Sequence, residues 1–159
     1  MALRKQDSKH TMVLSGLAIL SASLIAAALW FQYVEGLHPC KLCLWQRWPH
    51  YLVILCGVLA FTALRPSVLL ILAIMMMWLT GGIGGYHAGV ELDLFSGPGG
   101  CTATFEDLPA GEGLQALLDT SPVRCDEIVW SFLGLSMAAW NGLISTLAAV
   151  ISMILYRRI

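Results

Sequence analysis

Two cysteines three residues apart, Cys40 and Cys43, stand in the stretch His38-Pro39-Cys40-Lys41-Leu42-Cys43-Leu44-Trp45-Gln46-Arg47. A C-x-x-C dithiol can close into a small disulfide, and thiols in such motifs ionise more readily than a free cysteine. A helix that starts near Cys43 puts Arg47 one turn further on, on the same face. The helix N-terminus and the guanidinium would both favour a thiolate at Cys43. The chemistry on offer is thiol–disulfide exchange. A C-x-x-C disulfide closes almost no loop, so it contributes little by restricting the unfolded chain. Redox exchange is the usual use of such a pair.

Cys101 and Cys125 are two further cysteines, carried in an acidic, Gly- and Pro-rich stretch. A disulfide closing a loop of that length would gain roughly 3 kcal/mol on the chain-entropy model. From the residues alone, a structural clip and a second redox pair both remain open. Cys56 lies in an apolar run and reads as a small buried hydrophobe. Met75-Met76-Met77 would point different ways from a helix and reads as apolar filling.

The elements that must hold these cysteines are set by composition. The chain has 159 residues, enough for a single domain (1–159), and is 58% hydrophobic but only 12% charged. A typical soluble domain is about 25% charged. That deficit cannot be solvated as a globule, so the class is all-α integral membrane. Four apolar runs at about 12–34, 46–64, 68–89 and 128–155 predict a four-transmembrane-helix bundle. The first is too long for a signal peptide and ends in the aromatic group Trp30-Phe31-Gln32-Tyr33. Pro49 is tolerable only in a first helical turn, so regular helix begins at 46–48 or kinks there. Gly81, Gly85 and Gly89 predict a ridge of small residues that lets another helix approach. The fourth run is too long for a perpendicular span, so it tilts or begins outside the hydrocarbon. Residues 113–118 have the apolar density of a short helix lying on the membrane surface.

Charge sets the orientation. Six of the nine Lys and Arg residues cluster at Arg4, Lys5 and Lys9, at Arg65, and at Arg157 and Arg158. Nine of the ten acids fall in the other two connections. Both termini are therefore expected in the cytoplasm, with two cysteine-bearing loops (about 35–45 and 90–127) outside. In a bacterium, outside is the oxidising periplasm. It argues against a metal site built from His38, Cys40, Cys43 and His50, although zinc takes such ligands. His87 falls at the outer end of the third run, at the depth of Arg47. A histidine there is often functional. A site with Arg47 and His87 at the lip, lined by Trp45, Trp48 and Tyr86, would suit a flat, lipid-soluble electron carrier entering sideways from the bilayer.

The chain resembles the bacterial disulfide bond formation protein B family, DsbB. The resemblance rests on Trp30-Phe31-Gln32, on Pro39-Cys40-x-x-Cys43-x-x-x-Arg47, on the two further outer cysteines, and on Trp130-x-Phe132-Leu133-Gly134-Leu135 after Cys125. It implies an inner-membrane thiol oxidase that re-oxidises a periplasmic thioredoxin-fold dithiol oxidase, DsbA, and passes electrons to ubiquinone or menaquinone. It implies no metal, flavin or nucleic acid. By position, Cys40 and Cys43 would be the quinone-proximal pair. Cys101 and Cys125 would meet the partner, with Cys101 taking the mixed disulfide. Cys43 would face the quinone as a thiolate beside Arg47, and His87 would lie near the quinone ring. A transient Cys40–Cys101 bridge would release Cys43. The DsbA couple sits near −120 mV, so an outer disulfide below about −300 mV would be ~8 kcal/mol too reducing to oxidise it. Under this reading Cys101–Cys125 is not an ordinary stabilising clip. Vitamin K epoxide reductase-like proteins also combine a membrane C-x-x-C with loop cysteines, but place the motif late in the chain. The other alternative is a non-enzymatic membrane scaffold with a clipped loop.

Overall fold

The computed structural model describes residues 2–62, 65–98 and 124–158. Four helices account for most of them: α1 (Ala2–Tyr33), α2 (Lys41–Leu59), α3 (Pro66–Glu91) and α4 (Met137–Arg158). Three stretches are long and apolar enough to cross a membrane: Asp7–Tyr33, Pro66–Glu91 and Met137–Arg158. Their outer faces expose large side chains such as Ile19, Trp78, Leu147 and Ile151. Only lipid solvates a surface of that kind, so the chain is an all-helical membrane protein.

Several boundaries differ from those expected. α1 continues back through the basic tail, and ends where Gly36 takes φ +71° and Leu37 N–H donates to the Phe31 carbonyl at 2.9 Å. α2 starts at Lys41, earlier than expected, because Cys40 caps it: the Cys40 sulfur accepts the Cys43 N–H. Pro49 therefore lies inside the helix. Its missing N–H leaves the Trp45 carbonyl without a helical donor. Beside that gap, the Thr80 hydroxyl of α3 donates to the Gln46 carbonyl at 3.0 Å. Neighbouring helices supply such donors where proline loosens a buried ladder.

The fourth run is not helix from 128. A two-stranded hairpin, β1 (Ser131–Phe132) and β2 (Leu135–Ser136), precedes α4, with Phe132 paired to Leu135. Its two turn residues, Leu133 and Gly134, have φ +52° and +78°, the hand that matches strand twist. Ser136 then caps α4 by accepting the Ala139 N–H at 3.1 Å. The excess length of the run is this hairpin. Residues 113–118 lie outside the described residues.

α3 is the central element, packed mainly against α4 and α2. The expected glycine ridge is partly right. Gly81 and Gly84 face α4, and a Cβ on Gly84 would lie 2.7 Å from the Gly142 Cα. Gly85 presents its side-chain position to open space, and Gly89 lies under the Phe95 ring. The close α3–α4 approach brings Asn141 within reach of α2 and α3. α1 and α4 barely touch, which leaves a gap between them.

Candidate active site

Cys40 and Cys43 meet at the start of α2. Their sulfurs are 3.2 Å apart, and both are free thiols. Capping explains the geometry: the first turn aims the Cys43 N–H at Cys40 Sγ, 3.3 Å away. Cys40 is 5% exposed and Cys43 is half-buried. Three groups face the Cys40 sulfur: the Cys43 thiol, with which it shares a hydrogen bond, His87 Nε2 at 3.5 Å, and the Cys43 N–H, which donates to it. Against burial, they lower the Cys40 thiol from 9.0 to about 4, the Cys43 thiol contributing most. Helix capping and His87 thus favour a thiolate on Cys40 in the dithiol, where the sequence expectation was Cys43.

Cys125 is fully buried and disulfide-bonded. It packs in one cluster with Cys40, Leu42 and Val90, and Cys43 lies against that cluster. Cys101 lies outside the described residues.

His87 is 2% exposed, on the α3 side of the cysteine pair. Its Nε2 faces Cys40, and lies 3.9 Å from Glu91 Oε1. Glu91 in turn accepts the Ser136 hydroxyl of the hairpin. Gln46 Nε2 donates to His87 Nδ1 at 2.8 Å. Arg47 turns the other way, to α1, where its guanidinium donates to Gln32 Oε1 at 2.6 Å and to the Ala28 carbonyl at 3.4 Å.

A cavity of about 370 Å³ opens between α1, the start of α2, the hairpin and α4. Cys43 and Arg47 line it, together with Phe31, Trp130, Phe132 and Trp140. The aromatic rings support one another: Phe31 and Trp130 have centroids 5.0 Å apart, and Trp140 Nε1 donates to the Phe132 carbonyl at 3.0 Å. The sequence assigned this lining to Trp45, Trp48 and Tyr86. Trp45 and Tyr86 instead border a separate hollow between α2 and α3, and Trp48 is 67% exposed. His87 does not line the cavity.

Gln46 and Asn141 belong to the site but were given no role by the sequence, Gln32 entered only as part of the motif Trp30-Phe31-Gln32, and His50 was weighed only as a metal ligand. Their signal was present: a polar residue inside an apolar run is costly and marks function. His38, Cys40, Cys43 and His50, the ligand group that the sequence argued against, are not grouped among the described residues. Among the described residues, Cys40, Cys43 and His87 bring donor atoms within 4.8 Å of one another. Two thiolates on a tetrahedral zinc at about 2.3 Å would stand about 3.8 Å apart. The shorter sulfur separation here suits closure to a disulfide. The arrangement can exchange disulfides toward Cys125 and present Cys43 to an apolar, aromatic-walled cavity.

Comparison with known proteins agrees. The family described as Disulfide bond formation protein DsbB matches residues 10–155. Disulfide bond formation protein B of Methylococcus capsulatus is 35% identical over 77% of this chain and 79% of its own length. Proteins of the same name from Polaromonas sp. and Haemophilus influenzae are 29% and 30% identical, covering 96% and 95% of this chain and 94% and 88% of their own. No solved structure matches. With that match running through all four helices and the paired cysteines at their junction, the chain belongs to the disulfide bond formation protein B family of membrane disulfide oxidoreductases.

Proposed function

We propose that the protein re-oxidises a periplasmic thioredoxin-fold dithiol oxidase of the DsbA type and passes the electrons to a membrane quinone, ubiquinone or menaquinone. One observation carries this reading: a single C-x-x-C pair packs against buried Cys125 through Cys40, while Cys43 lines the aromatic cavity. α2 serves as a fourth span, its Gln46 and His50 buried inside the bundle. The Lys and Arg distribution supports a topology with both termini in the cytoplasm and the cysteine segments in the periplasm of a bacterial inner membrane.

The steps balance as follows. A partner thiolate attacks Cys101, and Cys125 leaves as thiolate. Cys125 attacks the Cys40 sulfur of a closed Cys40–Cys43 disulfide, and Cys43 leaves as thiolate. The packing of Cys125 against Cys40 supports this Cys40–Cys125 bridge, whereas the resemblance had suggested a Cys40–Cys101 bridge. In the bridged state Cys40 no longer holds the Cys43 proton in place, so Arg47 and the helix N-terminus favour the Cys43 thiolate. The second partner thiol then displaces Cys101, which returns to Cys125 and frees Cys40. The Cys40/Cys43 dithiol closes again, giving two electrons to the quinone. Net, two partner thiols become a disulfide and the quinone becomes a quinol, with protons conserved. Arg47, held by Gln32 and Ala28, offers its remaining N–H groups to a quinone oxygen at the cavity wall.

Quinone reduction by the purified protein in detergent, supplied with reduced DsbA-type partner, tests this directly. Quinone consumption that disappears in both Cys43→Ser and Cys101→Ser is the expected result. Quinone left untouched by the intact protein, with the loop cysteines remaining disulfide-bonded, would overturn the reading in favour of structural clips.

A further inference from the structure

A chain of five hydrogen bonds runs from α1 to Cys40, and from His50 onward every donor in it points toward Cys40. The Ser21 hydroxyl lies 3.1 Å from His50 Nδ1, and His50 Nε2 lies 3.0 Å from Asn141 Oδ1. Asn141 Nδ2 donates to Gln46 Oε1 at 2.7 Å, and Gln46 Nε2 to His87 Nδ1 at 2.8 Å. His87 Nε2 lies 3.5 Å from Cys40 Sγ. The two amides fix the two imidazoles. An amide oxygen only accepts, so His50 Nε2 must carry the hydrogen that meets Asn141 Oδ1. A neutral ring has one such hydrogen, so His50 Nδ1 is left as an acceptor facing the Ser21 hydroxyl, which also reaches Met77 Sδ at 3.6 Å. By the same logic Gln46 makes His87 Nδ1 an acceptor and leaves its hydrogen on Nε2, facing Cys40. Thr80 braces the junction, accepting from Asn141 Nδ2 at 3.2 Å and donating to the Gln46 carbonyl.

We propose that His50, Asn141 and Gln46 are positioning residues: together they form one oriented relay that locks His87 with its Nε2–H directed at the Cys40 sulfur. The relay draws a residue from each of the four helices. Ser21, Gln46, His50, Thr80 and His87 are all buried. Bonds in such a chain polarise one another, and a buried network persists only when each member is satisfied. Because the dipoles from His50 onward have their positive ends toward Cys40, the relay stabilises negative charge there. The other groups facing Cys40 are Cys43 from α2 and Glu91 from α3, with the disulfide of Cys125 packed alongside. Glu91 opposes a thiolate at Cys40, so the donated hydrogen of His87 matters more. The relay deepens the function proposed above, because it sets the thiol that exchanges with Cys125.

The test uses the whole reduced protein in detergent and needs neither quinone nor partner. Nitrogen NMR of labelled histidine reads the His87 tautomer, and ultraviolet thiolate absorbance reads the midpoint of Cys40 ionisation. In the native protein His87 is expected as a single Nε2–H tautomer. Asn141→Leu frees Gln46 to turn over, so His87 becomes a mixture and the midpoint rises by about one pH unit. His50→Gln keeps a donor toward Asn141 and is expected to preserve both signals, whereas His50→Leu loses them. An unmixed Nε2–H His87 with an unchanged midpoint in Asn141→Leu overturns the relay. If Asn141→Leu does not fold, the same signals from His50→Leu against His50→Gln decide it: a difference supports the relay and identity overturns it. A native protein that fails to reduce quinone but shows these shifts would refute the proposed function and leave the relay standing.

Discussion

The distinction between Cys40 and Cys43 is made by two details smaller than a helical turn: which sulfur caps α2, and which sulfur meets His87. Both select Cys40. Its ordinary thiol value of 9.0 falls to about 4, so the thiolate is present above that point and is lost as pH falls through it. The corresponding stabilisation of the reduced fold is complete above about pH 9, declines on acidification and is gone below about 4. Thiolate absorbance of the reduced protein should follow this course, vanish in Cys40→Ser, and shift to a higher midpoint in Cys43→Ala, which removes the strongest donor. Arg47 acts by shape as well as charge. Its fork spans Gln32 and the Ala28 carbonyl, and Arg47→Lys keeps the charge but not the fork. We expect about a tenfold rise in KM for quinone, the loss of roughly one charged hydrogen bond. Exchange with the dithiol partner should be unchanged; an equal loss in both steps would contradict the assignment.

The close contact of α3 with α4 ties the packing of these elements to the chemistry. A Cβ at Gly84 would press on the Gly142 backbone, which has no side chain to yield. Gly84→Val should lower stability by roughly 1–3 kcal/mol by overpacking, seen as a lower Tm in detergent. It should also cost activity at temperatures where the variant is folded, because Asn141 is carried on the displaced helix. The four apolar runs, the C-x-x-C and the Arg47 spacing were legible because each is a local pattern. The hairpin at 131–136 was not: its residues are as apolar as the helix they precede, and only the Gly134 turn and the Ser136 cap betray it. The cavity lining was misread for a related reason. Trp45 and Trp48 are near Cys43 in sequence, but helical rotation sends them outward, and the rings that replace them come from Phe31 and residues 130–140. Asn141 is 95 positions from Gln46, so no local pattern could pair them.

For the molecule as a whole, the gap between α1 and α4 gives the cavity a side facing the bilayer. Ala28→Trp would fill it from α1. We expect quinone reduction to fall at least tenfold while disulfide exchange with the partner persists, and an unaffected quinone rate would place the acceptor elsewhere. Orientation has an equally direct check. A cysteine introduced at Ser96 in a cysteine-depleted background should react with a membrane-impermeant maleimide added outside intact cells. One introduced at Ser8 should react only after the membrane is opened. Reversed labelling would invert the topology.

Cys40 is 5% exposed, and Cys125 beside it is closed to solvent altogether. The inner pair is therefore wired like an insulated conductor with two terminals, one at the outer disulfide and one at the cavity. Among the described residues the Cys40 sulfur is shielded from small dissolved thiols, so on the proposed function they would drain little of the oxidising power stored there. Current would then flow when a partner able to open Cys101 and Cys125 docks at one terminal while an acceptor fills the other, and burial of one sulfur would give the enzyme its selectivity among reductants.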